Sequence, residues 1–266
     1  MNKKIGFVGC GNMGSAMVGG ILNSGLVECE NIIVSCKRES SIKNLEEKFN
    51  IKATLNNIEV CKNSEIIFLA VKPYMYKEIM EEIRNYIDDK KIIVTIAAGV
   101  TLTDVEEWFN KDVKIVKTMP NTPALVGEAM TAICANKNVT KDELNIITSI
   151  FNSFGKSEIL EEKYFHAFTA LCGSSPAYVY MFIEAMADAA VKQGLPRDKA
   201  YKMASQAVLG SAKMVLETKE NPGKLKDNVC SPGGTTIEAV IELERQGFRN
   251  AVISAIEKCE EKSRNM

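Results

Sequence analysis

The chain has 266 residues, with 33 Lys and Arg set against 34 Asp and Glu, for a formal net charge of −1. That balance, with no basic stripe or arm, argues against nucleic-acid or anionic-lipid partners. The apolar runs stop well short of the roughly 18 residues a membrane span needs, while the length suffices for two medium domains with buried cores.

Met1-Asn2-Lys3-Lys4 runs directly into the strand-like Lys4-Ile5-Gly6-Phe7-Val8-Gly9, so structure rather than a signal peptide is expected there. Met13 to Ser24 reads as a helix closed near Gly25, and Asn31 to Ser35 as a second strand. Ile66 to Val71 and Ile92 to Ala97 are continuously apolar, as strands covered on both faces are, and Val113 to Thr118 is a shorter candidate. Short β-rich runs alternating with helical periodicity predict a Rossmann-type, doubly wound and mostly parallel α/β sheet. The texture changes at a short connection near Glu161-Glu162. Residues 1–161 are therefore expected to form the dinucleotide-binding domain and residues 162–266 an all-helical one. Ala177 to Lys192 is apolar on nearly every face, with Pro176 at its start and Gly194 past its end; Pro196 to Glu217, Ile237 to Arg245 and Phe248 to Glu260 follow. A helix apolar all round must be buried, and a small helical domain offers little cover of its own. A homodimer through these helices is the expected minimal unit.

Eight cysteines, at positions 10, 29, 36, 61, 134, 172, 230 and 259, contain no C-x-x-C pair, and His166 is the single histidine. Clustered Cys/His ligands for a metal are lacking, so no metal site is expected. The cysteines read as small apolar residues in a reducing cytoplasm, and His166, in an aromatic-rich helix start, as a structural or surface histidine and not a general acid.

Gly9-Cys10-Gly11-Asn12-Met13-Gly14 is a G-x-G-x-x-G directly after a strand and opening a helix, the arrangement that seats a dinucleotide pyrophosphate. Phe7 and Val8 lead into it and are counted with the site. NAD-selective sites place an acidic residue about 20 positions on. Here the second strand ends Ser35-Cys36-Lys37-Arg38, a hydroxyl followed by cations that suits a 2′-phosphate, so NADPH is expected, with NADH as the alternative. Ligands of open α/β sheets bind beyond the carboxyl ends of the strands. Ala70-Val71-Lys72-Pro73, Ala98 in Ala97-Ala98-Gly99, and Asn121 in Met119-Pro120-Asn121-Thr122-Pro123 therefore border the nicotinamide half, and Asn57 is placed near the adenine.

Ser231-Pro232-Gly233-Gly234-Thr235-Thr236 pairs glycines with hydroxyls immediately before an amphipathic run. Such a segment offers backbone N–H groups and a helix N-terminus to a small anion. The competing reading is that Thr235 and Thr236 only cap the helix.

With Gly173-Ser174-Ser175-Pro176-Ala177-Tyr178 and Leu225 to Thr236, these segments resemble the pyrroline-5-carboxylate reductases in order along nearly the whole chain. The resemblance implies NAD(P)H-dependent reduction of the cyclic imine 1-pyrroline-5-carboxylate to L-proline, on a Rossmann domain plus a helical dimerisation domain. It also implies that two chains build each active site, that larger rings of dimers exist, and that Glu162, Ser175 and Asn228 lie near the pocket. The chemistry suits the residues. Backbone N–H groups of Ser231, Gly233, Gly234 and Thr235 would hold the substrate carboxylate, and the Thr236 hydroxyl would orient the ring nitrogen. An imine arriving protonated needs no strong acid, so no histidine or catalytic dyad is required. Two other readings stand beside this one. A β-hydroxyacid dehydrogenase resembles it in layout but carries a lysine and an asparagine on the first long helix of its second domain, and Tyr178 to Asp188 contains neither. A non-catalytic NADP sensor would have no need of Ser231 to Thr236.

Overall fold

A computed structural model describes residues 1–265. The described residues divide into two compact units, residues 1–173 together with 260–265, and residues 174–259. The packing division falls later in the chain than the connection at Glu161-Glu162.

The first unit is built on an eight-stranded sheet in the order β3-β2-β1-β4-β5-β6-β7-β8. β1 (Ile5–Val8), β2 (Ile32–Ser35), β3 (Lys52–Thr54), β4 (Ile66–Leu69), β5 (Ile92–Thr95) and β6 (Lys114–Met119) pair in parallel. β7 (Ala129–Ala135) runs antiparallel to β6, and β8 (Gly155–Ile159) parallel to β7. Between the strands lie α1 (Asn12–Asn23), α2 (Glu39–Phe49), α3 (Asn57–Lys62), α4 (Tyr76–Ile83), α5 (Leu102–Phe109) and α6 (Lys141–Asn152). α7 (Phe165–Phe168) follows β8.

Every residue of β1, β2, β4 and β5 is buried, which explains their unbroken apolar runs. Alternate residues serve opposite faces. Ile5, Phe7, Ile66 and Phe68 join the core shared with α1 and α6. Val8, Ile67, Leu69 and Ile93 join the core shared with α3, α4 and α5. The register partners Phe7 and Phe68 stack with ring centres 4.7 Å apart, fixing β1 beside β4. This is where the order reverses, β2 and β3 lying to one side and β4 to β6 to the other. Such a switch point opens a crevice beyond the strand ends.

The second unit is helical: α8 (Ser175–Lys192), α9 (Arg197–Thr218), α10 (Pro222–Val229), α11 (Thr235–Arg245) and α12 (Phe248–Arg264), whose last residues pack with the first unit. Its hydrophobic side chains are largely uncovered. Ala187, Ala200 and Ala204 are its buried apolar residues, whereas Val179, Tyr180, Met181 and Phe182 on α8 and Met203, Leu209, Met214 and Leu216 on α9 are exposed. A helix with apolar side chains open to water over consecutive positions presents a surface for another chain.

Candidate active site

A crevice of about 800 Å3 lies beyond the carboxyl ends of the strands at the switch point. Gly9 to Gly14 line it, with Lys37 and Arg38, Ala70 to Pro73, and Ala97 and Ala98. The expected cofactor segments thus converge from four separate stretches of chain. α1 begins at Asn12 with Gly11 in the cap position and no side chain on its first N–H groups, leaving them free for an anion. A Cβ on Gly11 would meet no protein atom within 4 Å. The space it would occupy is open, as close approach of a pyrophosphate requires. Lys37 and Arg38 are exposed at the end of β2, and Ser41, one turn into α2, joins them on the wall. The site therefore fits NADPH.

Several expected cofactor residues act from behind this wall. Phe7 and Val8 have buried side chains, and the Val8 carbonyl accepts from Ala70 N at 2.9 Å. Ser35 is turned inward: its hydroxyl donates to Asn57 Oδ1 at 2.7 Å and accepts from Gly9 N at 3.2 Å. Asn57 in turn donates to Glu82 at 2.8 Å. Ser35 and Asn57 are thus linked to the first glycine of the loop, and neither lines the crevice. Asn121 is likewise 8% exposed. Its amide nitrogen donates to the Cys172 carbonyl and its oxygen accepts from Met130 N, both at 2.9 Å, so it pins a loop whose neighbours Met119, Pro120 and Thr122 line the crevice.

Cys10 and Cys36 also line the crevice. Burial, followed by the neighbouring Cys36, pushes the Cys10 thiol up to about 12, and burial raises Cys36 as well. Neither is a nucleophile at neutral pH. All eight cysteines are free. His166 Nδ1 lies 3.0 Å from the hydroxyl of the buried Ser263, a tie between α7 and the end of the chain.

Glu162 forms a buried-edge ion pair. Its Oε1 accepts from Lys117 Nζ at 2.9 Å and from Leu102 N, at the start of α5, at 2.8 Å. Lys117 is 7% exposed, with its ammonium 4.9 Å from the centre of the Phe165 ring. One carboxylate oxygen is thus committed. Among the described residues Oε2 has no hydrogen-bond partner.

In the second unit, Ser231 to Gly234 form a turn leading into α11. Gly233 adopts φ +65°, and the Gly234 N–H donates to the Ser231 carbonyl at 3.0 Å. Gly234 is therefore spent within the turn, which leaves the N–H groups of Ser231, Gly233 and Thr235 as candidate donors. Gly234 also occupies the cap position, with no side-chain cap. Thr235 and Thr236 begin the helix proper, so capping does not account for their hydroxyls. Ser175 opens α8, and Asn228 is exposed near the end of α10.

Residues 162–266 match the family model described as pyrroline-5-carboxylate reductase dimerisation, and residues 4–99 match NADP oxidoreductase coenzyme F420-dependent. The pyrroline-5-carboxylate reductase of Escherichia coli K12 is 51% identical over 266 residues, covering 100% of this chain and 99% of its own. The chain belongs to the pyrroline-5-carboxylate reductase family. A solved pyrroline carboxylate reductase of Plasmodium falciparum with NADP bound is similar at 36% identity and TM-score 0.89, covering 98% of this chain and 97% of its own. That of Coxiella burnetii reaches TM-score 0.93 at 32% identity, covering 100% and 98%. The protein is accordingly an NAD(P)-dependent oxidoreductase of Rossmann type carrying a dimerisation domain. Among the described residues, no helix of this reductase is long and apolar enough to cross a membrane. Sequence reasoning did not place Ser41, Met75 or Leu125 on the crevice wall. Only Ser41 left a signal, a hydroxyl one helical turn after the paired cations.

Proposed function

We propose that this reductase converts 1-pyrroline-5-carboxylate to L-proline in the cytoplasm, the closing step of proline formation, with NADPH seated in the crevice and the Ser231–Thr236 turn holding the substrate. The observation that supports this assignment is the turn itself, a helix start with an uncapped N-terminus, open N–H groups and two hydroxyls that have no partner among the described residues. A small carboxylate is the ligand such a turn suits. NADPH supplies the hydride when bound. The N–H groups of Ser231, Gly233 and Thr235 hold the carboxylate, and the Thr236 hydroxyl oxygen accepts from the protonated ring nitrogen. The iminium needs no further proton once its carbon receives hydride, so Thr236 orients and does not titrate. The family resemblance adds Glu162, Ser175 and Asn228 to the substrate's surroundings. The test is NADPH oxidation on adding pyrroline-5-carboxylate, with proline as product. Tight NADPH binding without turnover would instead indicate a sensor.

The exposed cations at the end of β2 support NADPH over NADH. Arg38→Ala is expected to weaken NADPH about fivefold, the scale of one solvent-exposed charge pair, and to leave NADH nearly unchanged. Equal losses in the two titrations would make Arg38 an ordinary surface charge.

The uncovered apolar faces of α8 and α9 support a homodimer as the minimal unit, from which larger rings could be assembled, with both chains contributing to each site. Sedimentation on dilution should show loss of activity together with loss of the dimer. An active, folded monomer at working concentration would sink the shared-site reading.

A further inference from the structure

Two tyrosines close together, Tyr74 and Tyr76, have opposite fates: Tyr74 is 84% exposed and Tyr76 is 0% exposed. They follow Lys72-Pro73, the crevice loop after β4, and Tyr76 opens α4. Its hydroxyl donates to the Leu69 carbonyl at 2.5 Å and accepts from the Ile96 N–H at 3.3 Å. Burial raises the phenol well above its ordinary range, so it remains a neutral donor.

The placement is informative because the β4–β5 ladder ends at the pair Leu69 and Thr95. Beyond that pair the two chains part to form the crevice walls, Ala70 to Pro73 on one side and Ile96 to Ala98 on the other. The Tyr76 hydroxyl joins the last carbonyl of β4 to the first N–H past β5, where the ladder's next rung would be. Without it, the buried Leu69 carbonyl and the part-buried Ile96 N–H would lack their partner, and the strand ends would shift or admit water to satisfy them.

We infer that Tyr76 is a positioning residue for the nicotinamide end of the cofactor, its hydroxyl setting the separation of the loops after β4 and β5. The assignment rests on the crevice being the dinucleotide seat. In that seat the pyrophosphate lies on the glycine loop and the adenosine end beyond β2, beside Lys37, Arg38 and Ser41. Tyr76 lies on the opposite side, so its influence is confined to one half of the ligand.

The experiment compares NADPH with adenosine 2′,5′-bisphosphate, which carries the adenosine half alone, on wild type, Tyr76→Phe and Ile83→Val. Ile83 is fully buried at the other end of α4 and controls for lost packing on that helix. Tyr76→Phe is expected to weaken NADPH about tenfold, the scale of one lost buried hydrogen-bonded pair, with bisphosphate affinity unchanged. Ile83→Val should lower the melting temperature and change neither affinity. Equal weakening of both ligands, or no change in NADPH, overturns the proposal. Failure of wild type to bind either ligand would instead remove the dinucleotide seat itself. Amide exchange in the ligand-free wild type supplies a check independent of whether Tyr76→Phe folds. The Ile96 amide should be protected like the strand interior, and exchange at the rate of an open loop overturns the brace.

Discussion

Gly9→Ala is expected to remove measurable NADPH binding at concentrations that saturate the wild type, a loss of at least about 100-fold, from a chain that still folds. Gly9 sits at φ +82°, a conformation L side chains rarely adopt. A Cβ there would lie 2.4 Å from Val71 Cγ1 and 2.9 Å from the Ala70 carbonyl oxygen. The first neighbour could rotate; the second is backbone and cannot yield without moving the strand end. Both belong to the facing crevice wall, so relief of the clash displaces one side of the dinucleotide seat. The added strain, of order 2–4 kcal/mol from the left-handed conformation and overpacking together, is below the usual stability of a domain of this size. A fluorescence titration with NADPH and a melting curve on the same sample separate the two effects. A dissociation constant within about twofold of wild type would mean that this loop does not seat the cofactor.

Thr236→Ala is expected to lower kcat by about 30- to 100-fold, the size of one orienting hydrogen bond that matters most in the transition state, with the melting temperature unchanged. The structural half of this expectation comes from the turn. Thr236 lies in the first turn of α11, and no side chain caps that helix. Its hydroxyl has no partner among the described residues to lose on truncation, so a rate loss would report on substrate. Thr236→Ser, which keeps the hydroxyl, should retain most of the rate. If alanine leaves kcat and KM alone, Thr236 has no part in the reaction.

The core strands were legible because burial on both faces demands unbroken apolar sequence, and Ile5–Val8, Ile66–Leu69 and Ile92–Thr95 meet that demand. β7 and β8 gave no such signal. β7 is AMTAICA, weak in periodicity, and β8 is GKSEI, mostly polar. They are strands because β6 and β7 supply edges to pair with, a fact located elsewhere in the chain. The glycine loop lines the crevice as expected, yet Ser35 and Asn57 face inward to support Gly9 where a surface contact was expected. At a strand end the sequence fixes nothing about which way a hydroxyl turns. The nearest unsatisfied backbone group decides it.

The helical region shows the complementary case. The apolar character of α8 was visible in its composition, and the fold leaves it uncovered within the chain, in keeping with the need for a partner. Thr235 and Thr236 were open to two readings until the turn was seen to place Gly234 in the cap position. By itself, then, the sequence determined the α/β architecture, the glycine loop after β1, the cationic end of β2 and the glycine-and-hydroxyl turn before α11. Each is written in residues adjacent along the chain and depends on local backbone freedom, periodicity or charge. Only the tertiary structure decided that Tyr76 bridges β4 and β5, that Lys117 holds Glu162 at the start of α5, and that Ser35 braces Gly9. Those pairings join residues distant in sequence, and buried polar groups take whichever partner the packed strands bring within reach.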